Sequence, residues 1–403
     1  MTTETGYYFV GEHRFKSKIS AIMHANQTKA DVNWYFYNEV YDAQDWAREP
    51  TTSLLEFYKI RAQQIREEYD YVIVMYSGGA DSSNVVHSFL ENDIHIDEVI
   101  AGAPMSGLSN FKFDGTSVDP TNAISETKYA QLPGLEKIRN KNSRIKITIH
   151  DYFEDLLEIK DESWLYDNNL SQWCNPSVVR HRLEKFSHIK SLIDQGKKIG
   201  IVYGIDKPIL VRSGTGNLYC TIPDGSVNFL GAHFSQSYDN VDTVLFYFTP
   251  RLPQMLVKQS HEAFRYLYKP ENKAIRESYL WDRSKTYANS NIRASFYQRA
   301  IVPAIYPGIA SDAKVTFQAH KPAIGFKGNG ELDSWIFNLH KDQRFMQVWT
   351  SEFTHFINSI DKKYLNEFYG FKPIYLYWKV GHESEFDITP VQSEIITDTS
   401  SLF

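Results

Sequence analysis

A chain of 403 residues with 42% hydrophobic content can bury at least one full core, which excludes general disorder and suggests a large principal domain with additions. A formal net charge of -6 withholds the electrostatic footprint of a general nucleic-acid binder, so a small-molecule or nucleotide substrate is the default, with a local basic patch left open. Cys174 and Cys220 are too few for a disulfide framework and form no CxxC pair, which fits a reducing cytoplasm. The stretch 1–15 lacks a basic segment followed by an apolar one, and no run of about 18 apolar residues occurs, so neither export nor a membrane span is expected. The sequence carries no signal for the oligomeric state.

Segments 7–10 (YYFV) and 32–41 (VNWYFYNEVY) are rich in strand formers, with a helix expected between them over 17–25. From Ser53, Leu54, Tyr58, Ala62, Ile65 and Tyr69 recur at helical spacing. The run 71–76 (YVIVMY) then reads as a strand covered on both faces, followed by the loop SGGADS and a helix through Val85, Val86, Phe89 and Leu90. The alternation continues with a strand at 98–103, a helix at 126–141, a strand at 144–150, a helix at 178–193 and a strand at 198–203. Such units imply βαβ crossovers and a parallel sheet, so the core is α/β.

After Pro208 the rhythm breaks. Segments 209–212, 217–222, 226–230 and 243–248 are short, β-rich and punctuated by Gly and Asp, as in hairpins laid beside the main sheet. Helices are expected after Leu252 and near 270–300 and 333–365, and a last strand at 374–380 precedes a polar tail. Aromatic residues form 15% of the chain and concentrate before residue 70 and after residue 225, where they suit core packing and also base stacking. The expected organisation is a small lead-in unit at 1–52, a nucleotide-binding α/β core at 53–250 and a mainly helical, aromatic-rich accessory or substrate region at 251–403.

Chemistry begins at the end of the first core strand. Glycines let backbone approach a phosphate closely, while hydroxyls and the free amides of a helix start donate to it, so Ser77-Gly78-Gly79-Ala80-Asp81-Ser82-Ser83 suits an anion. Ser82 or Asp81 as an ordinary helix cap is the competing reading.

The full string resembles the SGGxDS signature of the PP-loop ATP pyrophosphatases, a group that includes asparagine and GMP synthetases, the queuosine-pathway nitrile synthase and the phosphoadenylylsulfate reductases. It lacks the closing Gly-Lys-Ser/Thr of a Walker A loop. The resemblance covers about residues 55 to 210 and implies a Rossmann-like core. It also implies that Ser77, Gly78, Gly79, Ser82 and Ser83 cradle pyrophosphate, that Asp81 holds it through Mg²⁺, and that adenine lies near Ala101, Gly102 and Ala103. As a whole the chain is similar to uncharacterised PP-loop proteins of large tailed phages, a resemblance that adds no activity but makes a substrate from nucleotide or nucleic-acid modification a reasonable expectation.

Further candidates follow. Asp206 and Lys207, at the end of the strand 198–203, would face the same crevice as Ser77 and offer an acid for Mg²⁺ and a cation for phosphate; an ordinary polar turn closed by Pro208 is the alternative. Trp173, Cys174 and Asn175, with Arg180 on the next helix, are similar to the Trp-Cys-Thr region of the reductases and are candidate residues for an anionic substrate; a solvated basic helix face is the competing and stronger reading for Arg180. Lys258, with His261, Glu262 and Arg265, falls opposite Leu252, Leu256 and Ala263, so a solvated helix face is expected there, with Lys258 as an outside candidate for phosphate.

The leading functional expectation is an AMP-forming ligase that adenylylates a carbonyl or carboxylate oxygen for attack by an amine or ammonia, with ATP and Mg²⁺ as cofactors. Thr2 stands where asparagine synthetase has its glutaminase cysteine, so glutamine hydrolysis by this chain is not expected. Reductase-like sulfur chemistry is the first alternative, weakened because no cysteine follows Cys220. A nucleotide-binding module without turnover is the second.

Overall fold

The computed structural model describes residues 6–16, 18–103, 105, 127–151, 186–205, 207–224, 238–280, 301–309, 361, 363 and 374–386. The N-terminal unit contains β1 (Tyr7–Val10), β2 (His13–Phe15), α1 (Lys18–Thr28), β3 (Asn33–Tyr35) and α2 (Asn38–Asp42). Its three strands form an antiparallel sheet in the order β2-β1-β3. The strand formers at 32–41 yield only a short strand, because the Asn38 side chain accepts from the Phe36 N–H and Tyr37 turns to a left-handed φ of 49°.

Next come α3 (Leu54–Glu68), β4 (Tyr71–Met75), α4 (Ala80–Leu90), β5 (Glu98–Ala103), a π-helical turn at Thr127–Gln131, α5 (Leu132–Lys141), β6 (Lys146–Asp151), α6 (Ser187–Asp194) and β7 (Ile199–Tyr203). Helix α3 starts where Ser53 accepts from the Glu56 N–H, a capping bond typically worth about 1 kcal/mol. Val72, Ile73 and Val74 are all fully buried, which explains an apolar run without alternation. The chain continues with β8 (Ile209–Arg212), β9 (Asn217–Pro223), β10 (Val241–Leu245), α7 (Pro253–Leu267), a 3₁₀ turn at Pro270–Asn272, α8 (Lys273–Tyr279), α9 (Val302–Ile305), β11 (Tyr375–His382) and α10 (Glu383–Phe386). Segment 226–230 and the helix expected at 333–365, save residues 361 and 363, lie outside the described residues, as do 178–185 and 281–300.

Five strands form a parallel sheet in the order β10-β7-β4-β5-β6. One expectation changes here: among the described residues the segment 243–248 takes part in no hairpin. Residues 241–245 instead pair in parallel with β7, with Val241 opposite Ile199 and Leu245 opposite Tyr203. The continuous burial of Val244, Leu245, Phe246, Tyr247 and Phe248 is the pattern of such a strand. The hairpin expectation does hold for β8 and β9, which join β11 in an antiparallel sheet of order β11-β9-β8.

The N-terminal unit packs on this second sheet. The Tyr8 hydroxyl donates to Asp224 at the end of β9, and Trp378 on β11 stacks on Trp46 and donates its indole N–H to Asp42. Asp224 is also paired with Lys18 at 2.7 Å and accepts from the Ile374 N–H.

Candidate functional site

In the central sheet β4 is flanked by β5 and β7, so the chain winds outward to β6 and then reverses to β7 and β10. Ligands of open parallel sheets collect outside the carboxyl ends of strands at such a reversal. Met75 and Tyr203 are register partners, so the loops that follow β4 and β7 leave side by side. The first carries Ser77, Gly78 and Gly79; the second carries Gly204, Ile205 and Lys207, with Asp206 outside the described residues.

Two glycines are demanded by this geometry. Gly78 has a φ of 79°, and a Cβ there would come within 2.7 Å of the Gln131 backbone. A Cβ on Gly204 would stand 2.9 Å from the backbone of Asp81, so its absence lets the two loops touch. Helix α4 begins with Gly79 at its N-cap, in extended conformation and without a side-chain cap, so neither Asp81 nor Ser82 caps the helix. The serine hydroxyls instead brace the loop: Ser77 Oγ accepts from the Gly79 N–H, and Ser82 Oγ accepts from the Ser77 N–H, both at 3.2 Å. The first-turn amides of Ala80, Asp81 and Ser82 have no intrahelical acceptor, as at any helix start, and the helix dipole adds partial positive charge. Ser83 lies one step further in, 3.3 Å from the Tyr76 hydroxyl.

Asp81 is where distant parts of the chain converge. Lys207 Nζ donates to both of its carboxylate oxygens at 2.6 Å, and the lysine is only 5% exposed. The Tyr306 hydroxyl, just past α9, donates to Oδ1 at 2.6 Å. The Tyr247 hydroxyl, just past β10, donates to the Asp81 carbonyl at 2.9 Å and accepts from the Asn84 side chain at 3.0 Å. Burial, followed by the Asp81 charge, pushes the Tyr306 phenol well above its ordinary pKa, so it stays a neutral donor. Tyr247 is raised in the same way, by burial first and then by Tyr58 and Asp81.

On the other side of β4, Gln131 Nε2 donates to the carbonyls of Tyr76 and Gly102, tying together the ends of β4 and β5. Ala101 is fully buried in β5. A cleft of about 270 Å³ opens between α4 and α5, with Tyr76, Ser83, His87 and Lys137 among its walls.

The other sequence candidates sit elsewhere or outside view. Trp173, Cys174, Asn175 and Arg180 lie outside the described residues. Lys258 and His261 are buried, which corrects the expectation of a solvated face. The N-terminal unit covers them: Lys258 is 2.5 Å from Glu49, Arg265 forms a two-pronged bond with Glu49, and His261 Nε2 meets the Trp46 carbonyl at 2.9 Å. Cys220 is fully buried and its thiol is pushed up to about 12 by burial, which leaves no reactive thiolate there.

Tyr306, Tyr247 and Gln131 were not among the sequence candidates. A signal existed for Tyr247 alone: once 241–245 is read as a fifth parallel strand, its carboxyl end must open into the same crevice.

These features define an α/β protein with a five-stranded parallel sheet, smaller antiparallel sheets and extensive aromatic packing. No protein-family model and no curated protein sequence matches the chain. Among the described residues no helix is long and apolar enough to cross a membrane.

Proposed function

We propose that this chain is an ATP pyrophosphatase of the PP-loop kind. It binds ATP at Ser77–Ser83 and transfers AMP to a carbonyl or carboxylate oxygen of a small-molecule or nucleotide acceptor, which an amine or ammonia then attacks. The observation that carries this reading is the Lys207 ammonium held on Asp81 across the sheet's order reversal, beside a glycine loop and a helix start. An acid and a cation beside amide donors is the set that pyrophosphate departure needs.

In this reading the acceptor oxygen attacks the α-phosphorus, the bond to the bridging α–β oxygen breaks, and its electron pair leaves with pyrophosphate. The amides of residues 78–82 hold the departing phosphates, that of Gly79 by exchanging its bond to Ser77 Oγ, and Lys207 turns from Asp81 to neutralise the growing charge. Among the described residues no group of three or more His, Cys, Asp or Glu could form a metal cage. One carboxylate plus phosphate oxygens is a common way of holding Mg²⁺, and Asp81 fits that role. A bound magnesium ion would supply charge neutralisation on the phosphate oxygens. The buried Cys220 favours this oxygen chemistry over a sulfur reaction at that residue.

The test is incubation with labelled ATP, Mg²⁺ and a metabolite extract, following products by mass spectrometry. AMP and pyrophosphate should appear together with an adenylylated species. ADP as the main product would remove the reading, and ATP binding without any turnover would favour a non-catalytic module.

A further inference from the structure

We infer that Tyr306 is a positioning residue for Asp81, so that the segment Ile301–Ile309 completes a site otherwise built from the βα unit at 71–90 with Lys207 and Tyr247; this rests on the ATP reading above. The phenol donates to Asp81 Oδ1 at 2.6 Å across 225 positions of sequence, and Tyr306 is fully buried, so water does not compete for the bond. A carboxylate offers about four lone-pair sites. Lys207 touches both oxygens, whereas Tyr306 engages Oδ1 alone. With Lys207 turned to a phosphate, Tyr306 would still hold Oδ1, and Oδ2 would be the oxygen left to take Mg²⁺.

The tyrosine is itself held. Its ring packs on that of Tyr247 with centroids 5.4 Å apart. The preceding carbonyl, of Ile305, accepts from the Tyr58 hydroxyl, and Tyr58 in turn accepts from Gln259 on α7 at 3.0 Å. Helix α7 is thus linked through Tyr58 and Ile305 to the residue that aims the carboxylate. Such support is what keeps a functional group within a fraction of an ångström of its working geometry.

The experiment titrates Mg²⁺ at fixed ATP by calorimetry, alongside ATP binding in a chelator, for the parent chain, Tyr306→Phe, Tyr306→His and Tyr58→Phe. Phenylalanine keeps the ring and its packing but cannot donate. The half-saturating Mg²⁺ concentration should rise about tenfold in Tyr306→Phe, the usual order for a lost hydrogen bond to a charged group, with metal-free ATP affinity unchanged. Tyr306→His, which keeps a ring donor, should recover part of the loss and provides the reading if the phenylalanine variant does not fold. Tyr58→Phe removes a support of the same segment without touching Asp81 and should shift the Mg²⁺ requirement less than Tyr306→Phe does. An unchanged Mg²⁺ requirement in Tyr306→Phe overturns the inference while leaving the ATP reading intact, and so does an equal shift in Tyr58→Phe. A parent chain that does not bind ATP sinks both.

Discussion

The indole of Trp46 lies flat on that of Trp378, with ring centroids 4.8 Å apart and planes 7° from parallel. The first residue belongs to the N-terminal unit and the second to the last strand described, so the two ends of the described chain share one core. Tyr41 adds a third ring against Trp378, and Asp42 takes the Trp378 indole N–H at 2.8 Å.

Trp378→Ala should therefore cost about 3 to 5 kcal/mol, the range for truncating a buried tryptophan. Trp378→Phe should cost less, since a ring remains to fill the stack and mainly the bond to Asp42 is lost. Urea unfolding followed by circular dichroism reads both. A loss below about 1 kcal/mol for the alanine variant would mean that the stack does not couple the two ends.

The two loop glycines should respond differently. Gly78 has a left-handed φ and the Gln131 backbone at 2.7 Å, so Gly78→Ala should lower stability by more than the roughly 1 to 2 kcal/mol of the backbone term alone. Gly79 has a φ of -71° and a ψ of 169°, which valine accepts. Gly79→Val should keep the fold yet lose ATP binding, because its side chain intrudes where a phosphate would lie. Unchanged ATP affinity in the folded Gly79→Val chain would refute the loop assignment.

Much of the central sheet was legible in sequence because its signals are local. The run 71–76 followed by a glycine loop, and the burial of 98–103 and 199–203, depend on residues close together in the chain. The fifth strand was misread because the Gly and Asp residues around it suit hairpin turns, and only pairing with β7 decides between the two. The shared crevice of the loops that carry Ser77 and Lys207 was legible by topology, since both leave the carboxyl ends of strands, whereas the direct Lys207–Asp81 contact was not among the expectations. Tyr306 was not, because a lone tyrosine 225 positions away carries no periodicity or spacing that ties it to Asp81. The α7 face was misjudged for a related reason: helical amphipathicity shows which residues are polar, not that Glu49 will cover them.

Glu49 gives the pH prediction. Burial alone would raise its pKa, but bonds to Arg265 and Lys258 outweigh this and hold the carboxyl down at about 2, below its ordinary 4.5. A depressed carboxyl contributes stability that is fully present above its unfolded pKa and is lost as pH falls through the folded value. The window therefore runs from about pH 4.5 down to about 2. Glu49→Gln should cost on the order of 1 to 2 kcal/mol at pH 7 after allowance for solvent screening, and the gap from the parent should close toward pH 2. Parallel stability curves for the two proteins across that window would contradict the assignment.

Lys207 separates catalysis from binding. Its ammonium is bound to Asp81 in the free protein, so turning toward phosphate means exchanging one anionic partner for another. That exchange gains most when charge builds on the departing pyrophosphate, so the contribution is larger in the transition state than in the ground state. Lys207→Ala should lower turnover by about 10² to 10³ while changing ATP affinity much less. Lys207→Arg should recover only part, because a planar fork does not replace a compact point charge. Loss of the lysine also leaves Asp81 with Tyr306 as its side-chain donor, so some instability is expected, and thermal unfolding must accompany the kinetics. Asp81→Asn should instead raise the Mg²⁺ requirement, since it removes a carboxylate ligand but keeps an acceptor for Tyr306. Measured with a working acceptor, parental turnover in a folded Lys207→Ala chain would reduce the lysine to a structural partner of Asp81, and the cation for the leaving group would have to come from elsewhere in the crevice.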